Sequence, residues 1–112
     1  MTDTNVVTIV GRLTKDVELK LNTGLQVGFF TIAVNRKKRN LDGNITEEAS
    51  FFDINVYGKY AEAITPMLKK GTHVCVVGNL KQERWRSGTN GENKNRVVIT
   101  ADSIQIFGGN NV

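Results

Sequence analysis

Alternation with a period of two runs through most of this chain, and it restricts the fold to one built of strands. The segment Phe51 to Tyr57 reads Phe-Phe-Asp-Ile-Asn-Val-Tyr. Successive strand residues point to opposite sides, so Phe52, Ile54 and Val56 share one face while Phe51, Asp53, Asn55 and Tyr57 share the other. The first set is an ordinary core face. The second mixes two aromatic rings with two polar groups, the composition of a face turned to water. From Thr72 to Arg86 the device recurs: Val74, Val76 and Leu80 have one parity, and His73, Lys81 and Trp85 the other. This places Trp85 on a wet face between Arg84 and Arg86. Planar rings beside cations on an exposed sheet suit the stacking of bases along a single nucleic-acid strand, worth about 1–3 kcal/mol per base.

The rest of the pattern fits one all-β domain. Asn5 to Arg12 reads as a first strand, resuming at Val17 to Leu21 after the polar Thr14-Lys15-Asp16. Asn22-Thr23-Gly24 is a turn. Leu25 to Asn35 is a second strand, with Phe30, Ile32 and Val34 on its core face. Arg36 to Glu48 reads as a polar loop, Ala49 to Tyr57 as a third strand, Thr72 to Arg86 as a fourth and Asn95 to Phe107 as a fifth. Between the third and fourth, Lys59 to Lys70 carries Ala61, Ile64 and Leu68 at helical intervals. Pro66 should kink that helix or split it into two short turns, and Gly71 suits a left-handed residue beyond its end. Five strands with one short helix between strands 3 and 4 describe a five-stranded OB-fold barrel, a fold that commonly binds oligonucleotides. The length of the helix disfavours an SH3-like barrel. Residues 1–107 form the domain, and Gly108-Gly109-Asn110-Asn111 reads as the start of a flexible tail over 108–112.

At 112 residues the chain has room for one core and not two. No apolar stretch approaches the roughly 20 residues of a membrane helix, the N-terminus lacks the features of a signal peptide, and one cysteine, Cys75, cannot form an internal disulfide. A cytoplasmic setting is the simplest expectation. Fifteen Lys and Arg against eleven Asp and Glu leave a net charge of +4, a mild bias toward polyanions. The placement of the cations says more. Arg36-Lys37-Lys38-Arg39 form one run and Lys69-Lys70 another, while Arg84, Arg86, Lys94 and Arg96 surround the strand ends near Trp85. Brought to one face, these would trace a path for a phosphate backbone.

Several segments together resemble the bacterial single-stranded DNA-binding protein family. They are Val10 to Asp16, Phe51 to Lys59 with Ala61-Glu62, Lys70-Gly71, Gly78-Asn79-Leu80, Arg84-Trp85 and Ile104 to Gly109. No single segment is specific; the set, in order across essentially the whole chain, is. The resemblance implies an OB-fold, a homotetramer that wraps single-stranded DNA, and roles in replication, recombination and repair in the bacterial cytoplasm and nucleoid. It carries the family's stacking positions onto Phe51, Tyr57 and Trp85, and basic positions onto Lys59, Lys69 and Lys70. Two departures stand out. Where the family often has a further tryptophan, this chain has Arg36-Lys37-Lys38-Arg39, so one stack is exchanged for phosphate contacts. The family's acidic, apolar C-terminal tip, which recruits replication and repair proteins, is not in this sequence; a trimmed core and a short paralogue are both open, and such partners are expected only of a longer form that carries the tip.

Phe29, Phe30, Phe52 and Phe107 are assigned to the core. His73 and Cys75, two residues apart, cannot supply three or four metal ligands, and no metal or cofactor is expected. There is no phosphate loop, no nucleophile elbow and no second histidine to act as a base. Asp53 and Glu83 could flank a cleft, but a carboxylate pair alone is weak support for an enzyme, and none is expected. Beside sequence-tolerant binding of single-stranded DNA stand two further readings: a primosome-type accessory protein of the same fold, and an RNA-binding OB-domain of the translation machinery.

Overall fold

A computed structural model describes residues 2–89 and 91–107; the tail assigned to residues 108–112 lies outside them. The elements, in chain order, are β1 (Val7–Leu13), β2 (Glu18–Asn22), β3 (Leu25–Arg39), β4 (Ile45–Tyr57), α1 (Gly58–Ile64), β5 (His73–Arg86) and β6 (Asn93–Ile106). They form one sheet in the order β1-β5-β6-β4-β3-β2, and an added β1–β3 pairing bends it into a closed ring. Closure between β4 and β6 is a short parallel contact, Ile54 beside Ile99 and Asn55 beside Thr100. This is an OB-fold barrel. β1 and β2 are the two halves of the expected first strand. The chain changes neighbours between them, Leu13 N donating to the Thr72 carbonyl at 3.0 Å and Thr14 N to the Thr31 carbonyl at 2.9 Å.

Inward parity builds the core. Phe30 and Ile32 of β3, Ile54 and Val56 of β4, Val74 and Val76 of β5, and Ile99 and Ile104 of β6 are all buried in one cluster. Ala61, Ile64 and Leu68 join it, the stripe that the helical spacing predicted. The helix itself is shorter than Lys59 to Lys70. It stops at Ile64, and Pro66 lies in the first turn of a separate 3-10 segment, Thr65–Met67. Without an N–H, Pro66 cannot extend the α-helical ladder. Thr65 closes the helix, both its N–H and its hydroxyl donating to the Ala61 carbonyl, the hydroxyl at 2.6 Å. Gly71 has a φ of +85°, the left-handed conformation expected of it.

Two expectations are overturned where the strands outrun the barrel. Arg36 to Glu48 is not a loop: β3 and β4 stay paired out to Arg39 opposite Ile45, leaving only residues 40–44 to turn. Opposite charges across the ladder hold this arm, Arg36 and Lys38 both pairing with Glu48. The arms also lack a second layer. Phe52 and Leu80 have core parity, yet they are 37% and 48% exposed. Phe107, likewise assigned to the core, is 37% exposed and tilts against His73, their ring centroids 5.0 Å apart.

These exposures rank the core. Ile54→Ala should cost about 2–5 kcal/mol, while Phe52→Ala should fall below the roughly 3–5 kcal/mol of a buried phenylalanine. Urea unfolding of both variants checks the order; an equal or larger loss at Phe52 would place its ring in the core after all.

Candidate nucleic-acid interface

The outward face of β4 carries Phe51, Asp53, Asn55 and Tyr57, paired across the ladder with Ala33, Thr31, Phe29 and Val27 of β3. Phe51 is 64% exposed. Asn55 is not the wet residue its parity predicts. It is 1% exposed, held under its neighbours by donating its amide to Glu83 Oε2 at 3.1 Å and to the Tyr57 hydroxyl at 3.4 Å. Glu83 accepts from Arg96 Nε at 3.0 Å, and Arg96 Nη1 lies 3.5 Å from Asp53 Oδ2. Asp53 in turn accepts the Thr31 hydroxyl at 2.7 Å. A polar chain therefore crosses the middle of this face from β3 to β6, with Asn55 as its buried centre. Burial of an amide is inexpensive when its donors are satisfied.

Aromatic rings lie around that chain with amines over them. The Lys81 ammonium sits 5.7 Å from the centroid of Tyr57, and Lys20 sits 5.7 Å from that of Phe29. Trp85 is 48% exposed on the same outward parity of β5 as Lys81 and Glu83. It faces Lys94 across the hairpin, and the two residues line a cleft with Arg84, Asn93 and Asn95. The three rings predicted from parity, Phe51, Tyr57 and Trp85, thus share one face. Phe29 does not belong to the core as assigned. It is half-buried on this outer face, opposite Asn55. The signal was available: a core-facing Phe30 puts Phe29 outside.

The cations divide. Alternation sends Arg84 and Arg86 to the side of β5 away from the Trp85 face, where Arg84 Nη2 donates to Gln82 Oε1 at 2.7 Å and Arg86 Nε to the Gly91 carbonyl at 3.0 Å. The residue opposite the indole is Lys94, although Arg84 also lines the cleft beside it. On the β3–β4 arm Lys37 and Arg39 share the outward parity of Phe51, whereas Arg36 and Lys38 turn the other way, 3.1 and 3.3 Å from Glu48. Arg96 lies in the polar chain between two carboxylates. Lys59 lies on α1, and Lys69 and Lys70 in the turn beyond it, where Lys70 N donates to Asp16 Oδ1 at 2.7 Å. The structure leaves these three at the helical end of the barrel. Lys15, Lys20 and Lys81, on the ring face, went unassigned in the sequence because their proximity depends on β2 folding beside β3 and on β6 bringing β5 toward β4. Among the described residues, no group of three or more His, Cys, Asp or Glu could hold a metal.

Comparison with known proteins gives the same architecture and a kinship. The fold superposes on a deletion mutant of the single-stranded DNA binding protein from Thermus aquaticus with a TM-score of 0.84 at 25% identity, covering 96% of this chain and 52% of that one. It also superposes on the SSB of Plasmodium falciparum, solved in complex with ssDNA, with a TM-score of 0.83 at 21% identity, covering 95% of this chain and 97% of that one. The single-stranded DNA-binding protein of Treponema pallidum is 40% identical over 109 residues, 96% of this chain and 60% of its own length. That of Aquifex aeolicus is 41% identical over 104 residues, 92% of this chain and 69% of its own. The chain thus spans about three-fifths of the first of these relatives. Residues 4–107, which contain the whole of the barrel, match the model of the Single-strand binding protein family, and to that family this chain belongs.

Proposed function

We propose that this chain binds single-stranded DNA without regard to sequence, as a non-catalytic protein of replication, recombination and repair. Bases stack on Phe51, Tyr57 and Trp85, and phosphates are met by cations at the rim of the ring face. The observation that carries this reading is one sheet face on which exposed rings alternate with amines around a satisfied polar centre. Stacking is indifferent to base identity, because every base has a π-face. The family's named DNA-binding members support the reading. Of the basic residues proposed from sequence, Lys37 and Arg39 are best placed to meet phosphate. Arg36, Lys38 and Arg96 must first leave a carboxylate, and Lys59, Lys69, Lys70, Arg84 and Arg86 need a strand that wraps past the face. A homotetramer would supply such a wrapped path. Among the described residues no helix is long and apolar enough to cross a membrane, and the bacterial cytoplasm and nucleoid are the proposed location.

Trp85 is the only tryptophan in the chain, so its fluorescence reports on the site alone. Oligo-dT should quench it strongly, and Trp85→Ala should weaken binding by about 1–3 kcal/mol while the melting temperature holds. Quenching with no loss of affinity in the mutant would remove Trp85 as a platform. Competition between poly-dT and poly-rU addresses the sugar.

Salt dependence separates the two sides of the basic arm. For single strands each phosphate contact contributes about −0.7 to the slope of log K on log salt. Neutralising Lys37 and Arg39 should therefore flatten the slope by about 1.4. Neutralising Arg36 and Lys38 should change it less, since Glu48 already screens them. Equal slopes for both double variants and the parent would make the arm a solvated charge run.

A further inference from the structure

Phe51 and Tyr57 stand six residues apart on β4, about 20 Å at the rise of a strand. A bound strand crossing that interval meets only Asp53 on β4 itself, Asn55 being buried. Beside the interval lies an open cleft of about 400 Å³, whose lining includes Lys15, Lys20, Phe29, Thr31, Asp53 and Arg96. Of the two phenylalanines that line it, Phe30 is a core residue and Phe29 faces outward. The ring neither belongs to the core cluster nor packs against it, so its place is not explained by the interior. It lies across the ladder from Asn55 and diagonal to Tyr57, a separation of about 7–8 Å. Thr31 and Ala33, the next two outward residues of β3, are small and leave the approach from Phe51 open.

The charges at the mouth are loosely held. Lys15 and Lys20 each lie 3.6 Å from Glu18, with side chains at least half exposed in all three. Exposed pairs of this kind are worth little, and two amines sharing one carboxylate leave a positive balance. Both ammonium groups can exchange Glu18 for a phosphate at almost no cost, and Lys20 thereby uncovers the Phe29 ring beneath it.

We propose that Phe29 is a further base platform: one base of the bound strand enters the cleft and stacks on Phe29, with Lys15 and Lys20 taking the phosphates on either side. The proposal rests on the single-strand reading above and extends the path from Phe51 to Tyr57 through β2 and β3. Thr31, Asp53 and Arg96 present both donors and acceptors to the edge of that base, so no one base is selected by charge alone.

The test uses the full chain and oligo-dT. Phe29→Leu keeps an apolar side chain at the position and removes the π-face; it should bind about 5- to 150-fold more weakly, with Trp85 still quenched at saturation. Phe29→Tyr should restore the parent affinity. An oligonucleotide carrying 5-iododeoxyuridine should photocrosslink to the peptide that contains Phe29 in the parent chain. Lys15→Gln with Lys20→Gln should flatten the salt slope by about 1.4. Should Phe29→Leu fail to fold, the crosslink and the lysine pair decide the matter. Parent-like affinity in Phe29→Leu, no crosslink at Phe29 and an unchanged slope in the lysine variant, all with Trp85 still quenched by DNA, would remove this platform and leave the proposed function standing. Loss of Trp85 quenching in the parent chain would remove both.

Discussion

Single-stranded DNA is expected to bind this chain far more tightly than the same sequence presented as duplex. Stacking platforms act only on bases released from a partner strand, since paired bases bury their faces against one another. Three bases at about 1–3 kcal/mol each give, even at the lower end, a preference of about a hundredfold. An electrostatic binder would show the opposite order, because duplex carries the denser line of phosphates. The central face here bears no surplus of positive charge: Arg96 stands between Glu83 and Asp53, 3.0 and 3.5 Å from their oxygens. Its cations lie at the rim. Titrations of both forms at moderate salt measure the ratio. Because it would bind the open form alone, the protein should also melt DNA hairpins by mass action. Equal or tighter binding of duplex would end the stacking mechanism and the proposed function with it.

A large effect on stability is expected at Gly78. β5 and β6 shift register between Val77 and Gly78, and there the two backbones come close together. A Cβ on Gly78 would stand 1.9 Å from the Thr100 carbonyl oxygen and 2.9 Å from its carbon. Thr100 cannot withdraw freely, because beside Asn55 it forms half of the parallel contact that closes the barrel. Overpacking with side chains costs about 1–3 kcal/mol; here the obstacle is backbone, and the cost should reach or pass the top of that range. At about 4–8 °C per kcal/mol for a domain near this size, Gly78→Ala should lower the melting temperature by about 10 °C or more. Gly88→Ala is the control. Nothing lies within 4 Å of a Cβ there, and its effect should stay within about 0.5 kcal/mol. Melts that coincide for the two variants would overturn the close approach at the register shift.

Parity carried most of the site before any tertiary contact was known. Phe51 and Tyr57 face outward and Ile54 and Val56 inward because the strand period is a local property of the backbone. The stripe of Ala61, Ile64 and Leu68, and the break at Pro66, are local in the same way. Each is written in residues that lie within a few positions of one another.

What parity could not supply was the presence or absence of a neighbour. Phe52 and Leu80 have core parity but lie where the strands begin to extend past the barrel, so they are covered only in part. Arg36 to Arg39 look like a loop until Ile45 to Glu48 return across the ladder to pair with them. Asn55 has the parity of a wet residue and is buried because Glu83, 28 positions away, folds over it. Phe29 becomes a wall of a cleft only when Glu18 and Lys20 of β2 and Asn55 of β4 arrive on either side. The sequence by itself determined which way each side chain points, since direction depends on the local backbone period. Only the tertiary structure decided what each one meets, since coverage depends on strands brought together from distant parts of the chain.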